Sequence, residues 1–289
     1  LHKASRRQRQ MCIRDSHLEV TYGRYTAACT WFEMITGQNV VGNPYAPETI
    51  DPQVVKIAQN AAHYAVQKPD EVTDLVDFKQ PEISDTDLKA PIYIDFGPTS
   101  LSATPWNNIT SHQESSTTSW IKDVENNYTN IGVRVLDGFT ATHAGVGSEP
   151  ASPVTVDGVE FPLTAWKDGL LVKGEKNQGD VGPGRIEISQ LDVARKYNFT
   201  ILAIRFNGSK DARISSYKLV GKTESAVKEV KTGIKDAASF AAANFEEYIA
   251  KFENVEPDSE GKVIVEVKGL DTGSAAEGHI NALCISLAK

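Results

Sequence analysis

Apolar residues first recur at helical spacing. In Tyr22–Thr36, YGRYTAACTWFEMIT, the residues Tyr25, Ala28, Cys29, Phe32 and Ile35 fall on one face and predict a helix. Gly37 follows as a stop, and Pro44 and Pro47 bar its continuation. A second helix is predicted from Pro52, with Val55, Ala58, Ala62, Ala65 and Val66 on its apolar face and Pro69 as its end. Two helices of this kind carry more apolar surface than they bury against each other, so residues 17–78 are expected to need a larger body. Acidic residues and Pro81 then replace the helical period, and 79–90 reads as a linker.

The period changes to two at Ile92, Ile94 and Phe96, which predicts a strand turned by Gly97 and Pro98. Similar runs recur at 131–136, 186–189, 197–205, 214–220, 263–268 and 280–287, with Asp137-Gly138, Asp157-Gly158, Asp168-Gly169, Asn207-Gly208 and Glu260-Gly261 as turn signals. The pattern predicts a mainly β fold, a jelly-roll β-sandwich over 91–289. Its predicted core is Ile94, Phe96, Val133, Val135, Ile188, Phe199, Ile201, Tyr217, Leu219, Val265, Val267, Leu283 and Ile285. The stretch 236–252 is rich in helix-favouring alanine, but Tyr248, Ala250 and Phe252 alternate; a loop leading into a strand from Glu247 is the favoured reading.

Charge narrows the partners. The 289 residues carry a formal net charge of -8, which argues against nucleic acid, since phosphate binding needs a basic face. No apolar run is long enough to span a membrane. Cys12, Cys29 and Cys284 match no zinc or redox spacing. The opening LHKASRRQRQMCIRDS has no apolar period, and MCIRDS matches the translation of a sequencing-library adapter end. Residues 1–16 are therefore expected to be a non-native artefact.

The string HLEVTYGRYTAACTWFEMITGQNVVGNPYAP resembles the carboxyl end of the SGNH/GDSL-like hydrolases of gut Bacteroidetes, in the DUF4886-like group. The resemblance implies an α/β hydrolase that left these two helices, with His17 in the place of the general base, followed by Leu18 and the Gly23-Arg24-Tyr25 helix start. The family's aspartate, three residues before the histidine, is replaced by Arg14. No Gly-Asp-Ser nucleophile block occurs in the chain, so the resemblance implies a missing amino-terminal hydrolase body and no catalytic competence as given.

Several short pieces of the β-region resemble galactose-binding-like sandwich modules, among them Ile94-Asp-Phe-Gly, Trp106-Asn-Asn-Ile-Thr, Gly184-Arg-Ile-Glu-Ile and His279-Ile-Asn-Ala-Leu-Cys-Ile. Aromatic faces stack on sugars, and Asn, Asp and Arg hydrogen-bond their hydroxyls. The candidate ligand-binding residues on those grounds are Trp106, Asn107, Trp166, Asp168, Arg205 and Arg213. Bland alternatives stand beside them: Trp166 as a core residue, Arg213 as a loop anchor, Asn107 as a turn cap. Asp95, Asp137 and Asp168 are the candidates for a structural calcium, although no fixed-spacing calcium loop is present; no other metal or cofactor is expected. Asp271, His279 and Ser286 do not make a triad motif.

Three functions compete. The chain is a piece of a secreted, periplasmic or cell-surface bacterial carbohydrate esterase, a polysaccharide O-deacetylase, whose sandwich binds a polysaccharide or acetylated glycan. Alternatively the sandwich is a structural module without sugar affinity, or a surface-adhesion domain. Glycan binding by the sandwich separates the first from the second.

Overall fold

The computed structural model describes residues 22–47, 50, 52–71, 75, 88–173, 181–206, 213–270 and 277–289. The chain divides into two compact units, 1–81 and 82–289. His17 and the opening sixteen residues lie outside the described residues, as does the Asn207-Gly208 turn signal.

In the first unit the helices are Tyr22–Thr36 and Pro52–Gln67. Gly37 ends the first in the left-handed region, at φ +68°, with its N–H on the Glu33 carbonyl. The packed face differs from the predicted one. Tyr25 and Cys29 are buried with Val40, Ile50, Ala58 and Ala62, whereas Ala28, Ala65 and Ile35 are exposed. Glu33 takes the inward place instead. One carboxylate oxygen meets His63 Nδ1 at 2.6 Å and the other accepts from Val40 N at 3.0 Å. Gln59 plays the same part on the second helix, donating to the Tyr25 hydroxyl and the Asn43 carbonyl, both at 2.9 Å. Polar groups inside this small core are thus held by hydrogen bonds that their apolar neighbours leave room for.

The second unit is a β-sandwich. Among its described residues one sheet runs in the order Lys228–Lys231, Ile214–Val220, Val263–Gly269, Val181–Ser189, Gly132–Asp137 and Thr117–Thr118. The facing sheet runs Ile249–Val255, Tyr197–Leu202, Ala282–Leu287, Ile92–Phe96 and Trp106–Ile109. Alternate residues of both sheets meet in one core, and all thirteen predicted core residues lie in it, each no more than 1% exposed. Leu88, from the expected linker, is buried in the same core.

The second sheet is covered on its other face too, which the period-two pattern did not reveal. Leu202, Ile204, Ala282 and Cys284 pack there against Val154, Phe161, Trp166, Phe240 and Tyr248. That layer comes from the hairpin Val154–Val156 and Val159–Phe161, the helices Leu163–Lys167 and Ala237–Ala241, and the 3-10 turn Phe245–Tyr248. The strand expected from Glu247 begins at Ile249, and a short helix precedes it where a loop was favoured. Asp236 caps that helix, its side chain accepting from Ser239 N at 2.8 Å.

Two further corrections bear on function. The single run predicted at 280–287 is broken at Asn281 into Glu277–Ile280 and Ala282–Leu287. Asp168-Gly169 is not a turn: Gly169 opens the strand Gly169–Lys173, paired with Ala141–His143 on one side and Glu277–Ile280 on the other. A Cβ at Gly169 would collide with the Ile280 carbonyl and come within 3.1 Å of His143 Nε2. Glycine is required there for close approach rather than for a bend.

Candidate functional site

The strand break at Asn281 organises a buried polar cluster. Asn281 Nδ2 donates to the Asp168 carbonyl at 2.6 Å and the Trp166 carbonyl at 3.0 Å, while its Oδ1 accepts from Ile204 N at 2.8 Å. These bonds tie the strand end to the helix Leu163–Lys167 and to the chain entering Arg205–Phe206. Thr232 then clamps both arginine backbones. Arg205 N donates to its carbonyl at 2.5 Å, and Thr232 N donates to the Arg213 carbonyl at 2.9 Å. His143 and His279 come from the two outer strands of the small sheet, their rings edge to face with centroids 5.1 Å apart. Backbone bonds fix His279: its N–H donates to Ser215 Oγ at 3.0 Å and its carbonyl accepts the Tyr217 hydroxyl.

The side chains so gathered are Arg205, Arg213, His143, Glu277 and His279. Arg213 Nη1 stands 2.8 Å from Glu277 Oε2, and His279 Nε2 stands 3.5 Å from the same oxygen. Arg205 Nη1 meets His143 Nδ1 at 3.2 Å. Arg213 is 4% exposed and His279 is fully enclosed, while Arg205 is half-buried and is the member that reaches solvent. Burial pushes the His279 imidazole down to about 4 and that of His143 well below its ordinary value, so both rings are neutral at pH 7. Burial alone would raise the Glu277 carboxyl. The neighbouring His279 and the charges of Arg213 and Arg205 together outweigh it and bring Glu277 down to about 2. Several polar atoms make no hydrogen bond of good geometry among the described residues: Arg205 Nε, Arg213 Nε and Nη1, both ring nitrogens of His279, and Thr232 Oγ1. Buried polar groups are ordinarily paired, so these unpaired atoms set the cluster apart from the rest of the core.

Of the six sequence candidates, the structure brings Arg205 and Arg213 together and places the other four elsewhere. Asn107 is a strut, donating to the Tyr93 and Lys122 carbonyls at 2.9 and 2.8 Å and accepting from Lys122 N at 2.8 Å. Both of its side-chain N–H donors and one acceptor position of its oxygen are engaged inside the protein. Trp106 is half-buried against Tyr93 and Phe161, at centroid distances of 5.0 and 5.7 Å. Trp166 is fully buried, stacked on Phe240 at 5.0 Å with its indole N–H on the Ser152 carbonyl.

Asp168 turns its carboxylate away from the arginines. Its Oδ2 accepts from Thr99 N at 2.7 Å and Ser100 N at 3.1 Å, and a Cβ at Gly97, where φ is +141°, would lie 2.5 Å from it. Asp95 is its neighbour in charge, accepting from Ser102 N at 3.0 Å. Each keeps one oxygen, Oδ1, unpaired. Asp137 does not join them; it pairs with Arg185 at 3.1 Å on the outer face of the six-stranded sheet. Among the described residues no three His, Cys, Asp or Glu side chains converge. Burial, followed by repulsion from Asp168, raises the Asp95 carboxyl to about 7.

The outer face of the six-stranded sheet offers a trough of about 440 Å³ beside Arg185, Lys218 and Glu266. Its charges satisfy one another: Arg185 Nε meets Glu266 at 3.0 Å, and Lys218 meets Glu266 at 3.1 Å and Glu224 at 3.2 Å.

Sequence reading missed His143, Glu277, His279 and Asn281 as partners of the arginines. The one available signal was polar residues, Glu277, His279 and Asn281, at alternate positions leading into an otherwise apolar closing strand.

Strand order and buried cluster together define the larger unit as a β-sandwich module with an enclosed arginine–histidine site. Comparison with known proteins adds the following. The family described as "Domain of unknown function (DUF4886)" matches residues 4–65, a range that begins inside the opening sixteen residues and covers most of the helical unit. A DUF4886 family protein from Bacteroides uniformis ATCC 8492, known from a crystal structure, is 56% identical over 24% of this chain, with a TM-score of 0.23. The chain spans 26% of that protein's length. TmCBM61, solved in complex with β-1,4-galactotriose, is 13% identical over 42% of this chain and 71% of its own, with a TM-score of 0.27. The plant receptor-like kinase ANX1 is 7% identical over 60% of this chain and 54% of its own, with a TM-score of 0.28. At such scores the sandwich rests on its own strand order. No curated protein matches. Among the described residues no helix is long and apolar enough to cross a membrane.

Proposed function

We propose that the chain joins the DUF4886-type segment of an SGNH-like ester hydrolase to a glycan-binding β-sandwich, and that the whole protein is a bacterial carbohydrate esterase, a polysaccharide O-deacetylase acting outside the cytoplasm. In this reading His17 occupies the place of the general base, and the sandwich holds the polysaccharide for it. The observation that carries glycan binding is the cluster of Arg205, Arg213, Glu277 and the two neutral histidines, whose unpaired N–H groups and ring nitrogen suit ring hydroxyls and their substituents. The satisfied Asn107 strut and the buried Trp166 do not.

Affinity electrophoresis of the full chain through a panel of plant and bacterial polysaccharides tests this reading. Retardation by at least one polymer, lost in Arg205→Gln with thermal stability kept, supports it. Mobility unchanged across the panel favours the structural-module alternative.

A further inference from the structure

Resting on the glycan-binding reading, we infer that Trp120 is a stacking platform for a sugar unit within a polysaccharide chain, a second contact on the surface of the sandwich outside the arginine–histidine cluster. The argument starts from the backbone. Trp120 sits in the left-handed region, at φ +54°. Glycine and asparagine enter that region readily, whereas a bulky side chain there is an outlier that its surroundings must enforce. The two residues that follow enforce it. Ile121 is 2% exposed; its N–H donates to the Ile131 carbonyl at 3.1 Å, and its carbonyl accepts from Thr129 N at 3.0 Å and Thr129 Oγ1 at 2.6 Å. Asn107 holds Lys122 by both backbone groups, accepting from its N–H and donating to its carbonyl, each at 2.8 Å. The Asn107 strut therefore ends on the hairpin that carries Trp120.

The packing does not account for the ring. Trp106 and Trp166 both belong to the covering layer behind the second sheet. Trp120 is half-buried, yet among the described residues it joins none of the apolar clusters and its indole N–H makes no hydrogen bond. A strained backbone that holds a large ring outside every core points to a task at the surface. The neighbours say which task. Asn130 lies on the facing arm of the hairpin, next to Thr129; it is half-buried, and its side-chain amide makes no hydrogen bond among the described residues. Ser119 is exposed beside Trp120, and Tyr128, 47% exposed, pairs with Lys122 across the hairpin and carries the Lys122 ammonium over its ring at 4.5 Å. An aromatic face next to an uncommitted amide and hydroxyl suits a pyranose ring, which offers C–H groups on its face and hydroxyls on its edge. A protein partner would need an apolar centre, which Ser119, Asn126, Asn127 and Asn130 do not supply. Residues 125–128 are all exposed, so the hairpin is open to solvent. An open platform takes a unit inside a chain, whereas a free sugar needs a concave pocket.

The test titrates the full chain with acetylated xylan, xyloglucan, galactomannan, β-1,4-galactan and laminarin. Trp120→Gly removes the ring and suits the backbone, so its melting temperature should stay within about 4 °C of the parent's. Its affinity for whichever polymer the parent binds should fall at least about tenfold, the mark of an aromatic anchor. Asn130→Ala deletes an amide that bonds nothing among the described residues, and should weaken binding about threefold with its melting temperature kept. Undiminished binding in Trp120→Gly overturns the platform and leaves glycan binding standing. Binding of none of the polymers by the parent overturns both. Should Trp120→Gly melt further below the parent, Asn130→Ala decides: weaker binding supports the platform, and unchanged binding overturns it. Displacement of the bound polymer by an equal weight of its own monosaccharide overturns the assignment to a unit within a chain.

Discussion

The sandwich encloses two like-charged pairs, and it treats them in opposite ways. Asp95 and Asp168 lie near enough to repel, with one unpaired oxygen apiece, and Arg205 and Arg213 repel each other beside Glu277. The acids solve their problem with a proton: burial, with Asp168 adding to it, holds the Asp95 carboxyl at about 7, and half the molecules keep it neutral there. The arginines have no such exit, because guanidinium stays charged. A carboxyl pair can be self-sufficient inside a protein; a guanidinium pair needs an anion beside it, and here Glu277 stands 2.8 Å from Arg213. The first reads as scaffold and the second as a site.

The largest effect expected from this contrast is at Glu277. Glu277→Gln removes the carboxylate paired with Arg213 and leaves that arginine buried beside Arg205. Breaking a buried pair in this way costs about 3–5 kcal/mol. For a unit of this size that lowers the melting temperature by roughly 10 °C, readable by calorimetry near pH 7. A melting temperature within a degree or two of the parent would mean that the arginines are already neutralised by something else, and the contrast would collapse.

Removing an acid from the other pair should do the reverse. The Asp95 carboxyl rises from 3.8 unfolded to about 7 folded, so the folded chain holds the extra proton between those values. Stability from this group is therefore full below about pH 4 and is lost as pH rises through about 7, a span worth about 4 kcal/mol at most. Asp95→Asn keeps an oxygen for Ser102 N and removes the charge. Its denaturation midpoint should exceed the parent's at pH 8 and lack the parent's decline between pH 4 and 7. A parent whose stability rises over that interval on account of Asp95 would contradict a raised Asp95 carboxyl.

The contrast also explains how much could be read beforehand. Helix Tyr22–Thr36 and strands such as Ile92–Phe96 and Ile214–Val220 were legible because burial imposes a period on them, and the core followed from the same alternation. Ile35 misled because period marks a face without saying which residues of it are covered; Glu33 held the inward place through a partner thirty residues away. The covering layer behind the second sheet hid Trp166 for a related reason. A Trp in a core and a Trp that stacks on sugar look alike until the residues that meet them are known. Arg205 and Arg213 were found by type. Their partners were not, because Glu277 lies more than sixty residues from either and no spacing rule links them.

Trp106 decides which of the two pairs lies nearer to glycan. It stands on the acids' side of the sandwich, beside Asn108, whose side-chain oxygen shares Ser102 N with Asp95. Aromatic chemistry alone would make it a stacking platform. Its contacts with Tyr93 and Phe161 make it the rim of the covering layer instead. Trp106→Ala should therefore lower stability by about 2 kcal/mol, the cost of a half-buried large side chain, and leave polysaccharide retention unchanged. Denaturant melts and affinity gels on the same preparation read both quantities. Lost retention with stability intact would move the binding face to the acid pair, and the unpaired Nε atoms of Arg205 and Arg213 would then need another explanation.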